Sequence, residues 1–279
     1  MSLSNLALRS ITGFFFGAVI ITSCFLPLIF QVVLYAILMS IALREYIQFF
    51  KSSNSLSIDK ASAHFLQLLV FFIVSSPLLI SIQLHLIWVI VPIFFLVIIN
   101  ELWRNVENPM VNISLLLFGI LYTMLPFYLI ISLGNLSLDY SVVFPLTLGM
   151  YILIWTNDTF AYFSGRLFGK QPLFSRISPK KTWEGTFGGI LFTLIMGGIL
   201  YLLTQELSLL FWLVSAAIVA PTAILGDLLE SLFKRSADVK DSGNILPGHG
   251  GVLDRFDAVL FTVPFYYFWS LFYLQYIAA

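Results

Sequence analysis

Charge is what this sequence has least of. Asp, Glu, Lys and Arg make up 10% of its 279 residues, against roughly a quarter in a soluble domain. The formal net charge is zero, which removes any bulk electrostatic attraction to nucleic acid, and none is expected as a partner. Cysteine is nearly absent: Cys24 stands alone, so no intrachain disulfide can form. One cysteine and three histidines also exclude a structural zinc site of the Cys/His kind. The chain contains neither a GxxxxGK[ST] phosphate loop nor a Ser-His-Asp arrangement, which disfavours a P-loop ATPase and a serine hydrolase.

Apolar residues fill the space. They make up 59% of the chain, the composition of a polytopic membrane protein. Polar breaks divide the sequence into nine candidate spans, at about 9–27, 29–49, 64–80, 85–100, 111–132, 141–157, 185–203, 208–228 and 257–276. The second boundary is the least sharp, because "ALREYIQFFK" brings charge back into the apolar run. The first run has only Arg9 before it and no small-x-small cleavage site after it, so it reads as a retained helix rather than a signal peptide. The expected fold is all-α, a polytopic integral membrane protein with about nine transmembrane helices.

The basic residues set the orientation. With the N-terminus inside and nine alternating spans, all 14 Lys and Arg fall on the inner side, and the outer loops keep only Asp139 and Glu206. Two long polar loops, 158–184 and 230–256, then face the cytoplasm. Residues 1–140 read as N-terminal transmembrane helices, and 141–279 as a catalytic transmembrane region carrying both loops.

Three charged clusters lie on that inner face. In "WTNDTFAYFSGRLFGKQPLFSRISPKKTWEG", Asp158, Tyr162 and Arg166 recur at i, i+4 and i+8, and Lys180 and Lys181 follow Pro179. A basic loop that merely sets topology would account for these lysines equally well. In "GDLLESLFKR", Asp227, Glu230, Ser231 and Lys234 form one stripe at the inner end of span eight. A Glu230–Lys234 helix pair explains Glu230 but leaves Asp227 unexplained. A carboxylate at that depth costs roughly 2.5 kcal/mol or more unless it has a partner or a task. In "KDSGNILPGHGGVLDRFD", glycines around His249 let backbone N–H groups approach an anion, and Asp254 and Asp257 sit i, i+3 at the start of span nine. A glycine turn with an N-cap would explain one of those aspartates, not two together with Lys240, Asp241 and Arg255. Hard oxygen ligands, cations and an anion-cradling loop at one membrane face suit phosphoryl or nucleotidyl transfer with Mg²⁺.

The run Ser231-x-x-Lys234-Arg235-x4-Lys240-Asp241-x-Gly243-x2-Leu246-Pro247-Gly248-His249-Gly250-Gly251-x2-Asp254-Arg255-x-Asp257 resembles the signature of the phosphatidate cytidylyltransferases, also called CDP-diacylglycerol synthases. "SPKKTWEG" at 178–185 and the stretch from Asp158 to Gly169 resemble the family's upstream blocks; the resemblance covers roughly 155–265. It implies that CTP and phosphatidate give CDP-diacylglycerol and pyrophosphate, with Mg²⁺ and a second cation. It implies a homodimer in the inner membrane, its site facing the cytoplasm, and metal ligands at the positions of Asp227 and Asp254.

Catalytic candidates are thus Asp227, Asp254, Lys234, Arg255 and Asp257. Substrate-binding candidates are Ser178, Lys180, Lys181, His249, Gly250, Gly251, Lys240 and Asp158. A phosphomonoester has its second pKa near ~6, so the attacking group needs no general base at neutral pH. His249 therefore reads as a phosphate contact or a loop-shaping residue. A related transferase acting on another lipid phosphate remains the alternative. An anion transporter is less favoured, since it would carry its polar groups near mid-membrane and in repeated halves.

Overall fold

The computed structural model describes residues 5–50, 57–79, 88–245 and 250–278. Among them are nine helices, α1 (Asn5–Ser23), α2 (Leu28–Gln48), α3 (Lys60–Leu79), α4 (Ile90–Arg104), α5 (Pro109–Asp139), α6 (Leu146–Phe168), α7 (Trp183–Thr204), α8 (Leu209–Ser236) and α9 (Leu253–Tyr276). Five of these, α2, α3, α5, α7 and α8, are long and apolar enough to cross a membrane. The chain is a multi-pass helical membrane protein.

The structure departs from the all-α expectation in one place. The antiparallel strands β1 (Pro172–Phe174) and β2 (Ser178–Thr182) form a short hairpin inside the 158–184 segment, pairing Phe174 with Ser178 and Pro172 with Thr182. Helices also run past the polar breaks. α6 continues ten residues beyond Asp158, and α8 continues eight beyond Leu228. The reason is physical: a charge marks where the hydrocarbon ends, but only a lost backbone hydrogen bond or an incompatible φ ends a helix. No proline or glycine interrupts 158–164 or 228–236. Where φ does turn positive, the helix stops, as at Asn105 (φ 48°) after α4 and Gln205 (φ 52°) after α7.

The chain forms two compact units, one of 1–131 with 237–255 and the other of 132–236 with 256–279. In the first, α2 packs on α5 around Gly119, where a Cβ would lie 2.3 Å from the Tyr46 ring. The Tyr46 hydroxyl donates to the Leu115 carbonyl at 3.1 Å. Gln67 on α3 is buried and donates to Thr123 Oγ1 at 2.7 Å and to the Met39 carbonyl at 3.3 Å, joining three helices by polar contacts. Asp59 caps α3 by accepting from the Ser62 hydroxyl and from the backbone N–H groups of Ala61 and Ser62, and the Ser62 hydroxyl first among these holds its carboxyl below the usual value of 3.8.

In the second unit, small residues bring backbones together. A Cβ at Gly185 would meet the Ala161 carbonyl at 2.7 Å, so α6 and α7 approach closely, and Phe160 stacks on Phe192 with centroids 3.9 Å apart. Gly197 and Gly149 make room for Trp212, which is fully buried beside Phe211, and Phe211 in turn lies against Tyr266 and Trp269. Close approach of helices through small side chains is how dispersion holds a bundle where lipid is as apolar as leucine.

Candidate active site

The hairpin is anchored before it presents anything. Thr182 caps α7 by accepting the Gly185 N–H at 3.2 Å. Glu184 Oε2 accepts the backbone N–H groups of Lys170 and Gln171 at 3.0 and 3.3 Å, tying the end of α6 to the start of α7. Side chains alternate along a strand, so Ser178 and Lys180 share one face of β2 while Lys181 projects from the other. Lys181 Nζ reaches Asp227 Oδ2 on α8 at 2.6 Å. Ser231, one turn on, donates to Asp227 Oδ1 at 3.3 Å.

Gly226 decides what lies beside Asp227. A Cβ there would fall 2.6 Å from the Asp257 carbonyl oxygen and 2.9 Å from Phe261 Cβ, so α8 and α9 touch backbone to backbone. That contact brings Asp227 near enough to Asp257 for their charges to repel; Asp158 on α6 also feels the charge of Asp227, while Lys181 offsets Asp158 and Lys234 offsets Asp257. Asp257 Oδ1 also accepts the Ala258 N–H at 2.7 Å. Lys234 forms an ion pair with the fully buried Glu230 on the same helix. Four sequence-nominated residues, Asp158, Lys181, Asp227 and Asp257, thus come together in one unit from four elements.

Asp254 belongs to the other unit. Its Oδ2 accepts three hydrogen bonds, from Ser242 N–H (2.9 Å), Ser242 Oγ (2.9 Å) and Gly251 N–H (2.8 Å). Gly250 has φ +81°, and a Cβ on it would lie 2.5 Å from that same oxygen. Gly250 and Gly251 therefore serve to fold the loop onto Asp254. Lys180, Lys240 and Arg255 are exposed, as is Asp241. His249 lies outside the described residues.

The donor chemistry suits Mg²⁺, which takes hard oxygens and is held by one or two carboxylates completed by phosphate oxygens. Asp227, Asp158 and Asp257 supply such oxygens, with Lys181 and Lys234 beside them for phosphate charge. Among the described residues no group of three or more His, Cys, Asp or Glu closes on a single centre.

The cytidylyltransferase family profile matches residues 7–273, nearly the whole chain. The chain belongs to the cytidylyltransferase family.

Individual relatives match over a shorter length. The chain is 49% identical over 118 residues to the phosphatidate cytidylyltransferase of Bacillus subtilis (strain 168), covering 42% of the chain and 44% of that relative. It is 41% identical over 134 residues to that of Haemophilus influenzae, covering 46% of each. For that of Pseudomonas aeruginosa it is 46% identical over 121 residues, covering 43% of the chain and 45% of the relative. The chain thus spans a little under half the length of the curated relatives it matches.

Two contacts escaped sequence reasoning, one in each unit. One is the pairing of Lys181 with Asp227, 46 positions apart, which no local pattern encodes. The other is Glu45 on α2, whose carboxylate accepts the backbone N–H groups of Val252 and Leu253 at 3.0 and 2.9 Å. A signal for it existed: the charge inside the apolar run 29–49, which reads only as an indistinct boundary.

Proposed function

We propose that this protein transfers the cytidylyl group of CTP to phosphatidate, giving CDP-diacylglycerol and pyrophosphate. Membership of the cytidylyltransferase family and the activity for which its relatives are named support the reaction class. The observation that carries the reading to particular residues is the convergence of Asp158, Lys181, Asp227 and Asp257.

A phosphatidate oxygen attacks the α-phosphorus of CTP. The new P–O bond forms as the bond from the α-phosphorus to the bridging oxygen breaks, and pyrophosphate leaves with that electron pair. At neutral pH the attacking phosphomonoester is largely dianionic, its second pKa being near ~6, so no protein base is required. The barrier lies in bringing two polyanions together and in the charge that builds on the leaving group. Lys181 is supported as a cation that can turn from Asp227 to a phosphate, and Lys180, Lys234 and Arg255 as further neutralising groups. Asp227 and Asp254 are proposed as metal ligands. A bound divalent cation, with a second cation, would supply charge neutralisation and orientation. Ser178, His249, Gly250, Gly251 and Lys240 are proposed contacts for the nucleotide or lipid phosphate.

In this reading the protein works in the cytoplasmic membrane, as a homodimer by family resemblance. Its polar segments would face the cytoplasm, where CTP is dissolved and the lipid headgroup is fixed. The one-sided distribution of all 14 Lys and Arg supports that orientation.

Purified protein in detergent, given CTP, phosphatidate and Mg²⁺, is expected to release pyrophosphate, to stop on chelation, and to resume when Mg²⁺ is restored. Parallel reactions with dCTP, ATP and UTP, and with a panel of lipid phosphates, define the substrates. Absence of release across that panel and a range of divalent ions removes the transferase reading.

A further inference from the structure

Glu45 is a carboxylate with 1% of its surface exposed, on a helix apolar enough to span a membrane. Burying a charge there costs roughly 2.5 kcal/mol or more, and an apolar side chain would fill the position without that cost. Its partners explain why it is tolerated. The Val252 N–H donates to Oε1 at 3.0 Å and the Leu253 N–H to Oε2 at 2.9 Å, two donors that the first turn of α9 would otherwise leave without acceptors. A negative charge is also favourable at a helix N-terminus.

The contact extends to the glycine-rich loop. Ser242 Oγ lies 3.2 Å from Glu45 Oε2 and 2.9 Å from Asp254 Oδ2, so one hydroxyl links the two carboxylates. The backbone is fitted tightly to Glu45 on both sides. A Cβ at Gly243 would lie 2.6 Å from Oε1, and one at Gly251 would lie 2.5 Å from Oε2. The neighbouring residue holds the helix that carries it: Tyr46 seats its ring against Gly119 and donates to the Leu115 carbonyl on α5.

We propose that Glu45 is a positioning residue that fixes the two ends of the glycine-rich loop, Ser242–Gly243 and Gly251–Leu253, and through Ser242 sets the orientation of the Asp254 carboxylate. Its catalytic consequence rests on the cytidylyl-transfer reading; its effect on the loop does not. Position 45 requires a full carboxylate of this length. Glutamine keeps the shape but turns an NH₂ group toward one of the backbone donors, and aspartate keeps the charge but is one methylene too short to reach them.

The test compares wild type with Glu45→Gln and Glu45→Asp in two assays. In pyrophosphate release, both variants are expected to lose about tenfold or more in kcat, as displaced supporting groups commonly do. KM for CTP should stay close to wild type, so that the loss falls on kcat, and both variants should remain folded at the assay temperature even though the unpaired backbone donors lower melting. The second assay needs no turnover. A nitroxide at Asn244→Cys, in a Cys24→Ser background, is expected to give a broad, immobilised spectrum with Glu45 and a sharpened one with either variant. Wild-type kcat and spectrum in a folded Glu45→Gln protein would overturn the proposal. So would a loss of kcat that parallels loss of thermal stability while the spectrum stays unchanged. If wild type itself releases no pyrophosphate, the transfer reading fails, and the spectra still decide whether Glu45 holds the loop.

Discussion

Lys181 Nζ sits 2.6 Å from Asp227 Oδ2, joining a hairpin strand to the C-terminal half of a long apolar helix. The pair makes each residue's placement depend on the other. Without Lys181, Asp227 would face the repulsion of Asp158 and Asp257 with less compensation; without Asp227, the lysine would lose its fixed position.

Asp227→Asn and Lys181→Met should each reduce pyrophosphate release by about 10²–10³, the usual scale for removing a group that stabilises developing charge. Because the two act as one unit, the double variant should be little worse than the poorer single one. Initial rates at saturating CTP, on protein that elutes as a folded species, measure this. Near-normal turnover of both single variants would refute the roles assigned to them.

Gly250→Ala should damage activity more than folding. The substitution places a Cβ where φ is +81° and where Asp254 Oδ2 lies 2.5 Å away. Strain of this kind costs about 1–3 kcal/mol, and relief requires the Asp254 carboxylate to swing from its three donors. Turnover and thermal melting, measured on the same preparation, separate the two effects.

Gly226→Ala tests the contact of α8 with α9. Its Cβ would meet the Asp257 carbonyl at 2.6 Å, a backbone atom that cannot rotate aside. A stability loss of about 1–3 kcal/mol is expected from overpacking. Activity should fall with it, since moving α9 moves Asp257 relative to Asp227. A variant with unchanged melting and turnover would show that the helices are not in contact there.

Asp59→Ala removes the cap of α3 and should lower stability by about 1 kcal/mol at neutral pH. Folding holds the Asp59 carboxyl below its ordinary 3.8, so its contribution is complete above that value and fades as pH falls through the lower folded value. The difference in melting temperature between wild type and variant should therefore narrow on acidification below about pH 4. A difference that stays constant down to pH 3 would exclude the carboxylate as its source.

Composition and spacing by themselves determined that this chain enters a membrane as several apolar helices, because hydrocarbon rejects charge and each helix must satisfy its own backbone. They also brought forward Asp158, Asp227, Asp254 and Asp257, since carboxylates in so apolar a chain require a reason. Only the tertiary structure decided which of these groups meet. Lys181 reaches Asp227 through a hairpin whose turn has no hydrophobic signature, and Asp257 approaches Asp227 because Gly226 has no side chain. Glu45 reaches a loop nearly 200 positions further along the chain. Burial leaves a periodic trace in sequence; a hydrogen bond between distant segments leaves none, because its geometry depends on every helix packed between them.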